Sequence, residues 1–111
     1  MAQAAVPDAG DIVWMHFSPQ AGHEQAGHRP ALVLSPSSYN RKTSLAVCCP
    51  MTTQLKGYPF EVVVTETPPS AVLADQVKSL DWRARGAVRK GRVPEAVLEE
   101  VRAKLRALIG G

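Results

Sequence analysis

Residues 45–50 read LAVCCP, a short run with no charged side chain and an apolar residue at almost every position. Successive side chains of a β-strand point to opposite faces, so a strand of this composition is apolar on both faces. A flat sheet with one solvated face does not suit such strands, whereas a small curled barrel covered by a helix or by a second subunit does. The side chains of Cys48 and Cys49 are predicted to point to opposite faces of the strand and so to form no disulfide with each other. Two buried free thiols are typical of a protein in a reducing compartment.

Further stretches of the same kind flank this run. Each is rich in Val, Leu, Ile or aromatic residues, and clusters of Gly, Pro, Ser and Asn separate them. They are residues 10–17, 31–35, 60–65 and 72–80. The sequence therefore predicts a mainly β fold in a single domain spanning residues 1–111, with no internal repeat and no dividing linker.

The C-terminal segment has a helical pattern. Pro94 suits the first helical position, and Gly110 suits the left-handed residue that ends a helix. Between them, apolar residues recur at steps of four, four and three, which places them on one face. These residues are Val97, Val101, Leu105 and Leu108. We expect an amphipathic helix that packs on the barrel.

The basic residues are clustered in a chain whose formal net charge is +3. Residues 83–92 hold five cations without an acid, and a second basic stretch, also without acids, is formed by Arg41, Lys42 and Lys56. The five cations are Arg83, Arg85, Arg89, Lys90 and Arg92. Such clustering is typical of phosphate-binding surfaces, although solvated loops often have it too. No apolar run approaches the ~20 residues of a membrane span, and residues 1–10 lack a signal-peptide pattern. We therefore expect a cytoplasmic protein that does not associate with a membrane.

Two segments carry residue types suited to phosphoryl transfer. Residues 18–28 form an unusually long connection that leads into Arg29, and residues 51–57 (MTTQLKG) offer two hydroxyls, an amide and a lysine. Scission of RNA without a metal requires a base for the 2′-hydroxyl, a cation and donors for the phosphate charge, and an acid for the leaving oxygen. Arg29 can supply the cation, and Thr52 or Thr53 can supply a donor hydroxyl.

The residues alone leave the general base open between Glu24, His23 and His28. A carboxylate with an ordinary pKa of about 4.3 is a weak base at neutral pH, whereas a histidine near 6.5 is poised to accept a proton. His16, His23 and His28 lack the spacing and the paired cysteines of ordinary zinc sites. No metal and no other cofactor is therefore expected.

Three motifs, in this order, resemble the MazF family of bacterial toxins, which are sequence-specific endoribonucleases also called mRNA interferases. They are EQAGHRP at residues 24–30, PMTTQLKGYPFEV at 50–62 and QVKSLDWRAR at 76–85. The resemblance implies a small SH3-like β-barrel with a C-terminal helix, assembled as a homodimer. It also implies metal-independent attack by the 2′-hydroxyl on single-stranded mRNA, which leaves a 2′,3′-cyclic phosphate and a 5′-hydroxyl and so inhibits translation and growth.

The resemblance also implies roles for individual residues. Arg29 and Thr52 match the family's catalytic arginine and threonine, and Glu24 of the EQ pair is the expected proton-transfer residue. The residues expected to bind RNA are His28, Asn40, Thr53, Gln54, Lys56, Gln76, Lys78 and Arg85. His16 and Ser18 stand where many relatives carry acidic residues, a difference that bears on the recognised sequence. Members most like this chain favour sites with an ACA core.

A partner and two alternative functions also follow. Family members are held inactive by a MazE-like antitoxin whose acidic, disordered tail lies along the RNA groove, and the basic run at residues 83–92 suits such a tail. The related CcdB toxins use the same barrel to poison DNA gyrase without catalysis. A passive RNA-binding module would carry the basic run but has no need to combine Glu24, Arg29 and Thr52.

Overall fold

The structure is a computed structural model that describes residues 5–17 and 27–110. Seven strands, two α-helices and one 3-10 turn follow one another in these ranges. In chain order they are β1 (Asp11–His16), β2 (His28–Val33), α1 (Ser37–Thr43), β3 (Leu45–Thr52), β4 (Glu61–Glu66), β5 (Pro69–Leu73), the 3-10 turn (Ala74–Gln76), β6 (Lys78–Asp81), β7 (Val88–Arg92) and α2 (Glu95–Ile109).

The strands form one curled antiparallel sheet with β3 near its centre. The strand order is β4-β5-β3-β2-β1-β7, and β6 also pairs with β3. Cys48 of β3 pairs with Val33 of β2 and with Lys78 of β6, so β6 lies on the same side of β3 as β5. The predicted mainly β fold with a C-terminal helix is confirmed.

Each face of the sheet has its own apolar core. Cys48 belongs to one cluster, together with Phe17 and Trp82. Cys49 belongs to the other, where Leu98 and Val101 of α2 cover the sheet. The adjacent thiols therefore face opposite sides and are both free, as the alternation predicts.

Helix α2 follows the predicted pattern except at Pro94 and at Leu108. Pro94 is the residue before the first helical one, and Gly110 ends the helix in the left-handed conformation, with φ of 77°. Along the apolar stripe, Val101 is fully buried whereas Leu108 is 45% exposed, so the stripe packs on the core as far as Leu105. Within residues 5–17 and 27–110, no helix is long and apolar enough to cross a membrane.

Two segments differ from the predicted pattern. Residues 72–80 are not one strand: Met51 pairs with Val72 and Cys48 pairs with Lys78, so three extra residues lie on this side and form the 3-10 turn. Residues 88–92, within the basic run, form strand β7 on the edge of the sheet. The buried carboxylate of Asp11 accounts for this, since it accepts hydrogen bonds from Arg92 at 2.7 Å and from Arg89 at 3.2 Å.

Asn40 is not in a groove, and the prediction that it binds RNA is wrong for this structure. Its side chain is fully buried. The amide Nδ2 donates to the carbonyls of Pro7 at 2.8 Å and Ser35 at 3.0 Å, and Oδ1 accepts from the Ser35 hydroxyl at 2.6 Å. The Asn40 carbonyl also accepts a hydrogen bond from the indole of Trp82 at 2.9 Å. Asn40 therefore joins α1 to the N-terminal segment and the core.

Candidate active site

Arg29 and Thr52, the two proposed phosphate-binding residues, meet across strands β2 and β3. The antiparallel register pairs Ala31 with Pro50 and Leu32 with Cys49. This ladder ends at Ala31 and Pro50, and Arg29 and Thr52 each lie two residues beyond that last pair. Both residues line the same cleft. A cation and a hydroxyl that are distant in sequence are thus brought together.

Both side chains line a cleft of about 380 Å³, which we call the Arg29 cleft. Apolar side chains and polar groups both contribute to its wall. Its described lining residues are Trp14, Gly27, His28, Arg29, Pro30, Met51, Thr52, Thr53 and Ser70. A guanidinium with several hydroxyls around a small cleft is suited to binding a phosphate, because these donors match its oxygens.

The turn after β3 holds the Thr52 hydroxyl in place. Thr52 Oγ1 accepts a hydrogen bond from the backbone N–H of Gln54 at 3.1 Å. A hydroxyl has two acceptor sites and one donor proton. Since the Gln54 N–H uses an acceptor site, the proton of Thr52 can be donated to a ligand in the cleft.

A second cleft of about 230 Å³ adjoins the first, because Thr52 lines both. We call it the Gln54 cleft. Its lining is mostly polar and includes three of the residues predicted to bind RNA. The described lining residues are Thr52, Gln54, Lys56, Tyr58, Glu61, Leu73 and Gln76. The structure therefore gathers Gln54, Lys56 and Gln76 next to Thr52.

Glu61 and Tyr58 are site residues that the sequence reasoning missed. The buried carboxylate of Glu61 accepts hydrogen bonds from the backbone N–H groups of Lys56 and Gly57, both at 2.9 Å, and so fixes the turn that carries Lys56. The Tyr58 hydroxyl donates to Asp75 at 2.9 Å, and burial together with this carboxylate raises the pKa of Tyr58 to about 12. An acid at the start of an apolar strand was the only local signal for Glu61.

His28 lies against two other rings at the mouth of the Arg29 cleft. Its ring centroid is 4.5 Å from that of His16 and 5.0 Å from that of Trp14. Desolvation lowers the pKa of His28, and the nearby positive charges of His16 and Lys90 lower it further. His28 is therefore neutral at neutral pH and able to accept a proton or a hydrogen bond.

The remaining predicted residues lie outside these clefts or outside the described ranges. Lys78 and Arg85 are not among the described residues that line either cleft. Arg85 instead donates through Nη1 to the backbone carbonyl of His16 at 3.2 Å. Glu24 and His23 lie outside the described residues. Among the residues that are described, no three His, Cys, Asp or Glu side chains gather as a metal site would require.

Comparison with known proteins gives consistent matches over nearly the whole chain. The family of PemK-like, MazF-like toxins of type II toxin-antitoxin systems matches residues 8–109. The endoribonuclease toxin MazF of Escherichia coli K12 is 56% identical over 111 residues, which are 99% of this chain and 100% of the relative. The endoribonuclease PemK of Escherichia coli is 34% identical over 108 residues, 92% of this chain and 81% of PemK.

Solved structures match the fold equally well. The crystal structure of MazF from Deinococcus radiodurans has a TM-score of 0.91 and 54% sequence identity, and covers 96% of this chain and 99% of that one. A MazE-MazF complex from the same organism has a TM-score of 0.84 and 55% identity, and covers 96% and 97% of the two chains.

Proposed function

This chain belongs to the family of PemK-like, MazF-like toxins of type II toxin-antitoxin systems, and from that premise we propose the reaction it catalyses. It is an endoribonuclease toxin. We propose that it cleaves single-stranded mRNA at specific sites without a metal or other cofactor, and that this cleavage inhibits translation and growth. The whole chain, residues 1–111, would act as one catalytic domain.

The observation that carries this proposal is that Arg29 and Thr52 line the same cleft. In the proposed reaction the 2′-oxygen forms a bond to the adjacent phosphorus, and the bond to the 5′-oxygen of the next nucleotide breaks. Negative charge builds on the non-bridging phosphate oxygens between these events. The Arg29 guanidinium and the Thr52 hydroxyl would donate to those oxygens, which are where preorganised donors lower the barrier most.

Two proton transfers complete the reaction. One group takes the proton of the 2′-hydroxyl, and one gives a proton to the departing 5′-oxygen, so the products are a 2′,3′-cyclic phosphate and a 5′-hydroxyl. We propose Glu24 as the base. His28, which is neutral and lines the same cleft as Arg29, is the alternative base.

The Gln54 cleft supplies the proposed path for the RNA next to the scissile phosphate. The amides of Gln54 and Gln76 both line it, and an amide side chain can donate to and accept from the edge of an adenine. Lys56 adds a positive charge for the backbone. Unpaired bases are read in this way on single-stranded RNA. We propose cleavage at sites with an ACA core, with Thr53, Lys78 and Arg85 as further RNA contacts.

An antitoxin is the proposed regulator. MazF of Deinococcus radiodurans has been solved together with MazE in several crystal forms. We propose that a MazE-like partner with an acidic, disordered tail blocks the two clefts of this toxin, since their Arg29 and Lys56 attract carboxylates. We further propose that the toxin acts as a homodimer in the cytoplasm.

Purified protein and a long single-stranded RNA test the proposal. Cleavage should persist in EDTA and should stop when the scissile nucleotide lacks its 2′-hydroxyl, because the nucleophile comes from the RNA. Sequencing of the product ends would show whether an ACA core is recognised. Loss of cleavage in EDTA that added zinc or magnesium restores would contradict the mechanism. Inhibition of DNA gyrase without RNA cleavage would instead support the CcdB-like alternative.

A further inference from the structure

His16 and His28 form a cross-strand pair beside the Arg29 cleft. The register of β1 and β2 places them directly opposite each other, and their ring centroids are 4.5 Å apart. Both side chains are exposed, yet the backbone around His16 is held firmly. The His16 N–H donates to the carbonyl of Arg85 at 3.3 Å, and the next residue, Phe17, donates to the carbonyl of Gly27 at 2.8 Å.

We propose that His16 is a positioning residue for the cleavage reaction, which holds the imidazole of His28 in its neutral form and in a fixed orientation beside Arg29. His28 rather than His16 lines the cleft among the described residues, so His16 acts through its neighbour. The role rests on the proposed ribonuclease function, in the alternative in which His28 accepts the proton of the 2′-hydroxyl.

The physical basis is the proximity of two groups that take the same charge. Two imidazoles with ring centroids 4.5 Å apart do not readily both become imidazolium cations, since like charges at this distance repel. Desolvation is the largest cause that lowers the pKa of His28, and the positive charge of Lys90 on β7 acts in the same direction. The indole of Trp14 closes another side of the ring and contributes no charge. Desolvation, His16 and Lys90 therefore all favour the neutral form of His28 and lower its pKa.

The orientation of His28 also depends on the pair. The imidazole is bracketed by two rings of β1, with Trp14 meeting it edge-on at an interplanar angle of 77° and His16 tilted by 32°. A ring held between two others has fewer orientations available than a free exposed histidine. A proton acceptor beside Arg29 gains rate from such a fixed geometry, because the reacting atoms need not search for it.

A charge series at position 16 tests the proposal on the full-length protein. Wild type, His16→Asn and His16→Asp place an imidazole that can be protonated, a neutral amide and a negative carboxylate opposite His28. We expect the NMR titration midpoint of His28 to rise in that order, with a total gain of about three- to tenfold in proton affinity for this exposed pair. Lys42→Asn, which removes an exposed cation from α1, is the matched control and should leave the midpoint unchanged.

The pH dependence of RNA cleavage provides the second readout. The acid limb of kcat/KM should move to higher pH in the same order as the NMR midpoints, because protonated His28 cannot accept a proton. A merely structural role for His16 would lower the rate at every pH and leave the limb in place. Circular dichroism verifies that each variant is folded.

The outcomes separate this proposal from the one on which it depends. Absence of RNA cleavage by the wild type would contradict the proposed function, whatever the NMR midpoints do. Normal cleavage with an NMR midpoint that is the same in all three proteins would overturn the role of His16. A midpoint that shifts while the acid limb stays fixed would also overturn it, since His28 would then not take part in the limiting proton transfer.

Discussion

Thr52→Val is the substitution that tests the active site most directly. Valine keeps the branched shape of threonine at the end of β3 but has no hydroxyl. If Thr52 donates to the phosphate oxygens as proposed, the variant lacks one donor to the developing charge while Arg29 remains as the cation. Loss of one such donor typically lowers the rate by about 10²-fold or more, which is roughly 2.7 kcal/mol of transition-state stabilisation.

The structure separates this effect from a loss of stability. Within the described part of the chain, the Thr52 hydroxyl accepts a hydrogen bond from the Gln54 N–H at 3.1 Å. Because this bond lies in an exposed turn, its removal should lower the free energy of unfolding by about 1 kcal/mol and leave the protein folded. Thr52→Ser restores a hydroxyl at this position, so its rate should return to within about tenfold of wild type, a residual cost of roughly 1.4 kcal/mol.

Single-turnover cleavage of a fluorescent RNA at saturating protein measures the chemical step without the contribution of binding. Thr65→Val is the matched control, since this exposed threonine of β4 donates only to the nearby carbonyl of Pro68 at 2.6 Å in the described contacts. A folded Thr52→Val protein that cleaves RNA within about threefold of the wild-type rate would refute the placement of the site, because that is under 1 kcal/mol.

Three further predictions concern binding, stability and the thiols. Lys56→Gln should weaken RNA binding and reduce its salt dependence by about one counterion while the single-turnover rate at saturation is unchanged; an unaltered salt slope would contradict the proposed path. Asn40→Ala should lower the free energy of unfolding, measured in urea, by about 3 kcal/mol, because the buried Pro7 carbonyl and Ser35 hydroxyl lose their hydrogen-bond partner. The neighbouring Arg41→Ala should lower it by less than about 0.5 kcal/mol. Burial raises the pKa of Cys48 and Cys49 to about 12, so a thiol reagent at neutral pH should label them only after unfolding, and rapid labelling of the native protein would contradict the described core.

The sheet and its two cores were predictable because their signal is local. The run at residues 45–50 is apolar at successive positions, and alternation alone assigns its side chains to two faces. Cys48 and Cys49 occupy separate clusters as that pattern requires. Apolar residues spaced four, four and three apart near the C-terminus predict α2 for the same reason, because the periodicity of a single helix can be read from its own sequence.

Strand β7 was not predictable from its own residues. Its sequence, VRKGR, has three cations and a glycine, which is typical of a solvated loop. The partner that makes it a strand is Asp11, far away in the chain, whose buried carboxylate binds Arg89 and Arg92. The burial of Asn40 has the same cause, because its hydrogen-bond partner Pro7 is contributed by a distant segment. Contacts of this kind exist only once the chain has folded.

The residue types of the candidate active site could be predicted from the sequence, but its geometry could not. Residue chemistry narrows the choice to a few cations and hydroxyls, and the family resemblance selects Arg29 and Thr52 from them. Their meeting depends on the register between β2 and β3, which neither strand specifies alone. Glu61 was missed because it acts on the backbone of the turn at Lys56 and Gly57 and not on a substrate.

The 3-10 turn between β5 and β6 contributes Gln76 to the wall of the Gln54 cleft. The apolar pattern of residues 72–80 gives no sign of this interruption. In an uninterrupted strand, Asp75 and Gln76 would point to opposite faces of the sheet. In the 3-10 turn, Asp75 instead accepts a hydrogen bond from the Tyr58 hydroxyl, and Gln76 lines the same cleft as Gln54. The three residues of the 3-10 turn thus bring a second amide, that of Gln76, to the proposed RNA path. Irregularities of this kind are often functional, which explains why periodicity fails here and succeeds in the core.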